Sequence, residues 1–239
     1  MNEAAIGQLA TPMQPAVRDY TAFVEQLAGT KLIGLTVFGA VLDAGFDASR
    51  GPVDSVMVLE HTDLGLLRRL GEHGPRLGGK GIAAPLMMTP EYITSSIDTF
   101  PLELLEIQQR RATVSGRDCF ERLEFAPQHV RLQCEREFKR VLIRLRQGVL
   151  AAAGREAVLG ELRWDVGRHL LRTLRGMLWL KNLRSHAASE KVLAETEKLA
   201  GGPLAGVRNA VLLRGEHDWA EFTALYAEVE RLAGLADAM

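Results

Sequence analysis

Gly39 and Ala40 close an apolar run at residues 32–38, and Asp54 stands near the start of a second at 53–59. Glu103 and Glu106 interrupt a later apolar run at 101–107. Arg168, Arg172 and Arg175 follow one another at i, i+4 and i+7, which on a helix puts them on one face. Carboxylates of this kind can hold a hard cation such as Mg²⁺, which takes one or two protein acids together with phosphate oxygens and water. Small residues at a turn let backbone N–H groups come close to a phosphate, and arginine neutralises it. Each feature also has a plain reading. Gly39 alone is a turn glycine, Asp54 alone a solvated strand-opening acid, and a charged helix face is ordinary surface.

The order of these features carries more than any one of them. The stretch KLIGLTVFGAVLDAGFDASRGPVDSVMVLE, residues 31–60, reads as strand, small-residue turn, loop and strand with an acid. It resembles the nucleotidyltransferase superfamily that includes the polymerase-β-like and aminoglycoside-modifying enzymes. In that family a Gly-Ser turn precedes a strand bearing Asp-x-Asp. The resemblance implies an α+β fold: an N-terminal mixed sheet with helices, residues 1–125, followed by a C-terminal helical bundle, residues 126–239. It also implies Mg²⁺ and a nucleoside triphosphate, bound in a cleft between the two parts. Carried over, Gly39, Ala40 and Ser55 fall at the phosphates, and Asp54 at the metal. Glu103, with Glu106 as substitute, becomes the third acid, while Arg172 and Arg175 become phosphate contacts. The acceptor would be the hydroxyl of a small molecule or protein.

The departures from the pattern are chemical. Ala40 stands where serine would offer a hydroxyl, and Val56 stands where the second acid would help hold Mg²⁺. Ser55 cannot replace that acid, because neighbours on a strand point to opposite faces. Glu103 and Glu106, three apart on an expected strand, would also face opposite ways. The reading that follows is a nucleotide-binding protein with an eroded metal site, weakly active or inactive. An active Mg²⁺-dependent transferase is the alternative. A further alternative is a non-catalytic interaction module, or a ribonuclease of the HEPN kind, suggested by Arg163 and His169 in an Arg-x5-His arrangement. With 6 His and 29 Lys+Arg, however, chance supplies about one or two such matches.

The elements that would position these residues follow from periodicity. Residues 14–28 place Val17, Tyr20, Val24 and Leu27 on one helical face, ended by Gly29. Asp63 caps a helix carrying Leu64, Leu67 and Leu70, which the Gly/Pro cluster at 71–81 breaks. Residues 82–88 read as a third strand, 90–95 as a helical turn, 101–107 as a fourth strand. Residues 115–118 read as a turn that brings Arg117 toward a phosphate. Beyond Pro127 the pattern is helical over 128–150, 163–183, 189–200 and 218–232.

Composition bounds the rest. A 47% hydrophobic content with 25% charge is that of an ordinary globular protein, and the formal charge of −1 gives no overall pull toward nucleic acid or membrane. No aromatic residues interleave with the arginines as a base-stacking surface requires. Residues 1–125 carry 11 basic and 16 acidic side chains, a net of −5, whereas residues 131–184 carry 13 and 5, a net of +8. No apolar run nears the roughly 20 residues of a membrane span, and the N-terminal residues lack the basic and apolar regions of an export signal. Cys119 and Cys134 have no metal-binding spacing and are expected as reduced thiols. A cytoplasmic protein is expected, with room for a homo-oligomer.

Overall fold

Two β-rich runs with opposite-facing side chains pair to make the centre of the sheet. The computed structural model describes residues 1–43, 45–49, 51–183, 188–216 and 218–239. In it β1 (Leu32–Phe38) and β2 (Asp54–Leu59) are antiparallel neighbours. β3 (Leu86–Met88) joins β2 in parallel, and β4 (Arg111–Gly116) joins β1 antiparallel, giving the order β3-β2-β1-β4. The architecture is α+β, with a four-stranded mixed sheet near the N-terminus and helices after it.

The chain divides into two compact units, residues 1–97 with 106–124, and residues 98–105 with 125–239. In the first, α1 (Glu3–Ile6) and α2 (Gln14–Ala28) precede the sheet, and α3 (Leu64–Glu72) and α4 (Gly74–Gly79) lie between β2 and β3. Val17, Tyr20 and Val24 of α2 share a core with Leu35, Val37, Met57 and Val114 of the sheet. Gly29 ends α2 at φ +56°, and Asp63 caps α3 by accepting from the Leu66 N–H. A short helix, α5 (Pro90–Ser95), follows β3.

Residues 101–107 do not form the expected fourth strand. They belong to α6 (Pro101–Gln109), and the fourth strand is Arg111–Gly116. The physical reason is local. Proline suits a first helical turn, and leucine, glutamate and glutamine are good helix formers, whereas Thr113 and Val114 are β-branched. On a helix Glu103 and Glu106 are i, i+3 neighbours and share a side, the reverse of their expected opposition. The third strand is also shorter than expected, with Ile82 contributing only an isolated bridge to Val53.

The second unit is built on α7 (Pro127–Ala152), α8 (Glu156–Leu180), α9 (Ser189–Leu199), α10 (Ala205–Val211) and α11 (Trp219–Asp237). Cys134, Phe138, Leu145, Leu174, Met177, Leu225 and Val229 pack into one core, joined by Leu102 and Leu105. Close backbone approach makes this possible. A Cβ on Gly167 of α8 would lie 2.2 Å from the Ala210 carbonyl of α10, and one on Gly206 would lie 2.4 Å from the Leu225 nitrogen of α11. Among the described residues no helix is long and apolar enough to cross a membrane.

Candidate functional site

Strand register places the candidate residues of the first unit. Phe38 stands opposite Asp54 on one side and Arg111 on the other, so Asp54, Phe38 and Arg111 form one row across β2, β1 and β4. Directly paired residues in a sheet share a face. Gly39 follows Phe38 immediately, which brings Gly39, Ala40 and Asp54 to the same end of the sheet. Asp54 is exposed there, as is Ala40.

Gly39 adopts φ +82°, which side-chain-bearing residues rarely adopt, and a Cβ there would meet nothing within 4 Å. Its N–H donates to the Arg110 carbonyl at 2.9 Å, so that amide holds the turn to β4. The turn runs as a short 3₁₀ segment, Gly39–Leu42. After it, Asp43 meets the Arg110 guanidinium at 2.7 Å. Arg110 is only 5% exposed at its side chain, so this largely buried guanidinium ties the residue before β4 to the end of the turn.

Ser55 and Val56 take opposite directions. Ser55 is buried, and its hydroxyl lies 3.0 Å from the Tyr20 hydroxyl of α2. Burial pushes the Tyr20 phenol up to about 12, against the smaller opposing effect of the Ser55 hydrogen bond. Ser55 therefore faces the α2 side of the sheet, away from the row of Asp54. Val56 returns to the face of Asp54 and is fully buried. Its row contains Thr36, Thr113 and, on β3, Leu86. The Thr36 and Thr113 hydroxyls meet at 3.0 Å, which fixes that these side chains share a face.

The two rows that would present acids to a metal thus consist of Asp54, Phe38 and Arg111, and of Val56, Thr36, Thr113 and Leu86. Asp54 is their one carboxylate. Among the described residues no three His, Cys, Asp or Glu side chains gather as a metal-binding group. One acid beside a buried valine does not fit the paired donor set that the sequence resemblance implies for Mg²⁺.

The other expected site residues lie elsewhere. Glu103 belongs to the second unit, where its carboxylate accepts from Arg172 at 2.9 Å and from Gln133 at 2.7 Å. Gln133 also accepts from the Leu102 N–H through its side-chain oxygen, tying the start of α6 to α7. Glu106 follows one turn later on α6 and is half-buried. The three arginines of α8 share a stripe, but their exposure changes along it. Arg168 is exposed and pairs with Asp165, Arg172 pairs with Glu103, and Arg175 is 3% exposed.

Arg117 directly follows β4 and lines a cavity of about 440 Å³ with Cys119 and Arg122. Arg163 is fully buried. Its guanidinium donates to Glu221 and to the Arg214 and Glu216 carbonyls, while His169 is exposed. Arg163 thereby ties α8 to α11 and to the segment before it.

Arg110 and Arg111 escaped the sequence reading. The usable signal was their position directly after a run of good helix formers and before a β-branched pair, which would have placed them at a strand start beside the turn.

No protein-family model matches the chain, and no curated protein matches it. Among solved structures it is similar to spectinomycin adenyltransferase AAD(9) from Enterococcus faecialis, solved with ATP and spectinomycin. The TM-score is 0.57 at 10% sequence identity, over 93% of this chain and 98% of that one. The fold is nucleotidyltransferase-like. Within a nucleotidyltransferase-like fold, the strand, positive-φ glycine and acid-bearing strand occur here as one connected structural feature rather than as scattered residues.

Proposed function

We propose that this protein binds a nucleotide at the sheet end marked by Gly39 and Asp54, and that its metal site is eroded, leaving nucleotidyl transfer weak or lost. The observation that carries the reading is the register of Asp54 against Phe38, the residue before Gly39. It sets the first acid beside a turn with open space above its glycine. Burial of Val56 supports the loss of metal chemistry, because a second carboxylate at that position is replaced by packed hydrocarbon. The likeness to a structure solved with ATP and spectinomycin makes ATP the first nucleotide to test, and a small-molecule hydroxyl the acceptor class should transfer survive.

The test is to incubate the protein with labelled ATP, GTP, CTP and UTP plus Mg²⁺ or Mn²⁺, following self-labelling, pyrophosphate release and melting temperature. A nucleotide that raises the melting temperature without measurable transfer is the expected outcome. Transfer that disappears in Asp54→Asn would establish the active transferase instead. Neither labelling nor a thermal shift with any nucleotide would remove the nucleotide reading and leave an interaction module.

A further inference from the structure

Resting on the nucleotide reading above, we infer that Arg110 is a positioning residue for the nucleotide. It holds the turn Gly39–Leu42 at both ends before nucleotide arrives, without itself meeting the ligand.

The need for such a hold begins at Gly39. Glycine takes positive and negative φ about equally readily, so the +82° here is not fixed by the residue's own preference. A turn left to itself samples several shapes, and a ligand that needs one of them loses affinity in proportion to how rarely that shape is populated. The shape must therefore be set by contacts from outside the turn.

Those contacts converge. The Gly39 N–H donates to the Arg110 carbonyl at 2.9 Å, and the Val41 carbonyl accepts from the Ala10 N–H at 2.8 Å. Asp43, directly after the turn, meets the Arg110 guanidinium at 2.7 Å. Arg110 thus grips the turn twice, through its backbone at the first residue and through its side chain just past the last. It is itself anchored, because its N–H donates to the Glu106 carbonyl at 3.1 Å and the next residue, Arg111, pairs with Phe38 across the sheet. A guanidinium this buried is costly to leave without its counter-charge, which keeps Asp43 engaged. Its action on a nucleotide accordingly passes through the turn.

A brace that only stabilises the fold and one that shapes the turn differ in what they move. The first lowers the melting temperature and leaves the affinity of the folded protein alone. The second weakens affinity as well.

The experiment is calorimetric titration of the full chain with ATP and Mg²⁺, for wild type, Arg110→Gln, Asp43→Asn and the double variant. Tyr20→Phe serves as a control that loses stability away from the turn. Circular dichroism melts verify that each protein is folded at the working temperature, and hydrogen–deuterium exchange without ATP reports on the turn. The expected result is an affinity about tenfold weaker in Arg110→Gln and about threefold weaker in Asp43→Asn, whose amide oxygen can still accept from the guanidinium. The double variant should be no weaker than Arg110→Gln, since both changes break one link. Exchange should quicken at residues 39–43 in these variants, and Tyr20→Phe should keep wild-type affinity. Wild-type affinity in folded Arg110→Gln, or losses that simply add in the double variant, overturns the positioning role while leaving nucleotide binding intact. If Arg110→Gln does not fold, Asp43→Asn decides, and unchanged affinity with unchanged exchange at the turn overturns the inference. No ATP binding by the wild type overturns the nucleotide reading, and this inference with it.

Discussion

Arg172 of α8 donates to the Glu103 carboxylate of α6 at 2.9 Å. The resemblance read from the sequence implies separate tasks for these two side chains, one at a phosphate and one at a metal. Their pairing shows how an acid and a base that suggest a site can equally serve helix packing. The side chains are 40% and 33% exposed, so water screens the pair. Arg172→Ala is expected to cost no more than about 1 kcal/mol of stability, by chemical denaturation, and to leave ATP affinity unchanged. A tenfold loss of affinity would return Arg172 to the nucleotide.

The Tyr20–Ser55 hydrogen bond is buried on the α2 side of the sheet. Tyr20→Phe strands the Ser55 hydroxyl and is expected to cost about 1–3 kcal/mol. Adding Ser55→Ala removes the stranded group, so the double variant should recover part of that loss. ATP affinity should be the same in all three proteins, since neither hydroxyl faces the row of Asp54.

How far the site was legible depended on the length of each pattern. The α2 stripe of Val17, Tyr20 and Val24, the Gly39 turn and the two central strands were readable because alternation and punctuation agreed. Residues 101–107 were not, because a run of four aliphatic residues broken by two glutamates fits either a strand or a helix. Misplacing that element hid β4, and with it Arg110 and Arg111. The arginines of α8 show a different limit. Their spacing predicted a shared stripe, but the stripe runs from exposed Arg168 to buried Arg175. Exposure along a helix depends on how many neighbours cover each turn, and α8 packs against α7, α9, α10 and α11. Sequence period alone does not carry that information.

Close helix approach predicts a sharp contrast between glycines. Gly167→Ala would drive a Cβ to 2.2 Å from the Ala210 carbonyl oxygen, where backbone must move. The expected cost is about 1–3 kcal/mol or more. Gly234 on α11 has nothing within 4 Å of an added Cβ, so Gly234→Ala should be neutral or stabilise by up to about 1 kcal/mol. Urea melts of the two variants test both at once.

Asp63 joins an ion pair to a helix cap. The Lys31 ammonium, 2.7 Å away, lowers its carboxyl most, and the Leu66 N–H adds to this, taking it from 3.8 to about 2. A depressed carboxyl favours the folded state above its unfolded value and loses that contribution as pH falls through its folded value. Asparagine caps a helix about as well as aspartate, so Asp63→Asn isolates the charge. Its melting temperature should lie below wild type at pH 6, and the gap should narrow steadily below pH 3.8. A gap independent of pH would contradict this account of Asp63.

Hydrogen–deuterium exchange of the full chain, with and without saturating ATP, tests the central claim most directly. The account predicts slowed exchange concentrated at the turn Gly39–Leu42 and at the first residues of β2, around Asp54. Protection confined to other segments, or none while ATP is demonstrably bound, would contradict it.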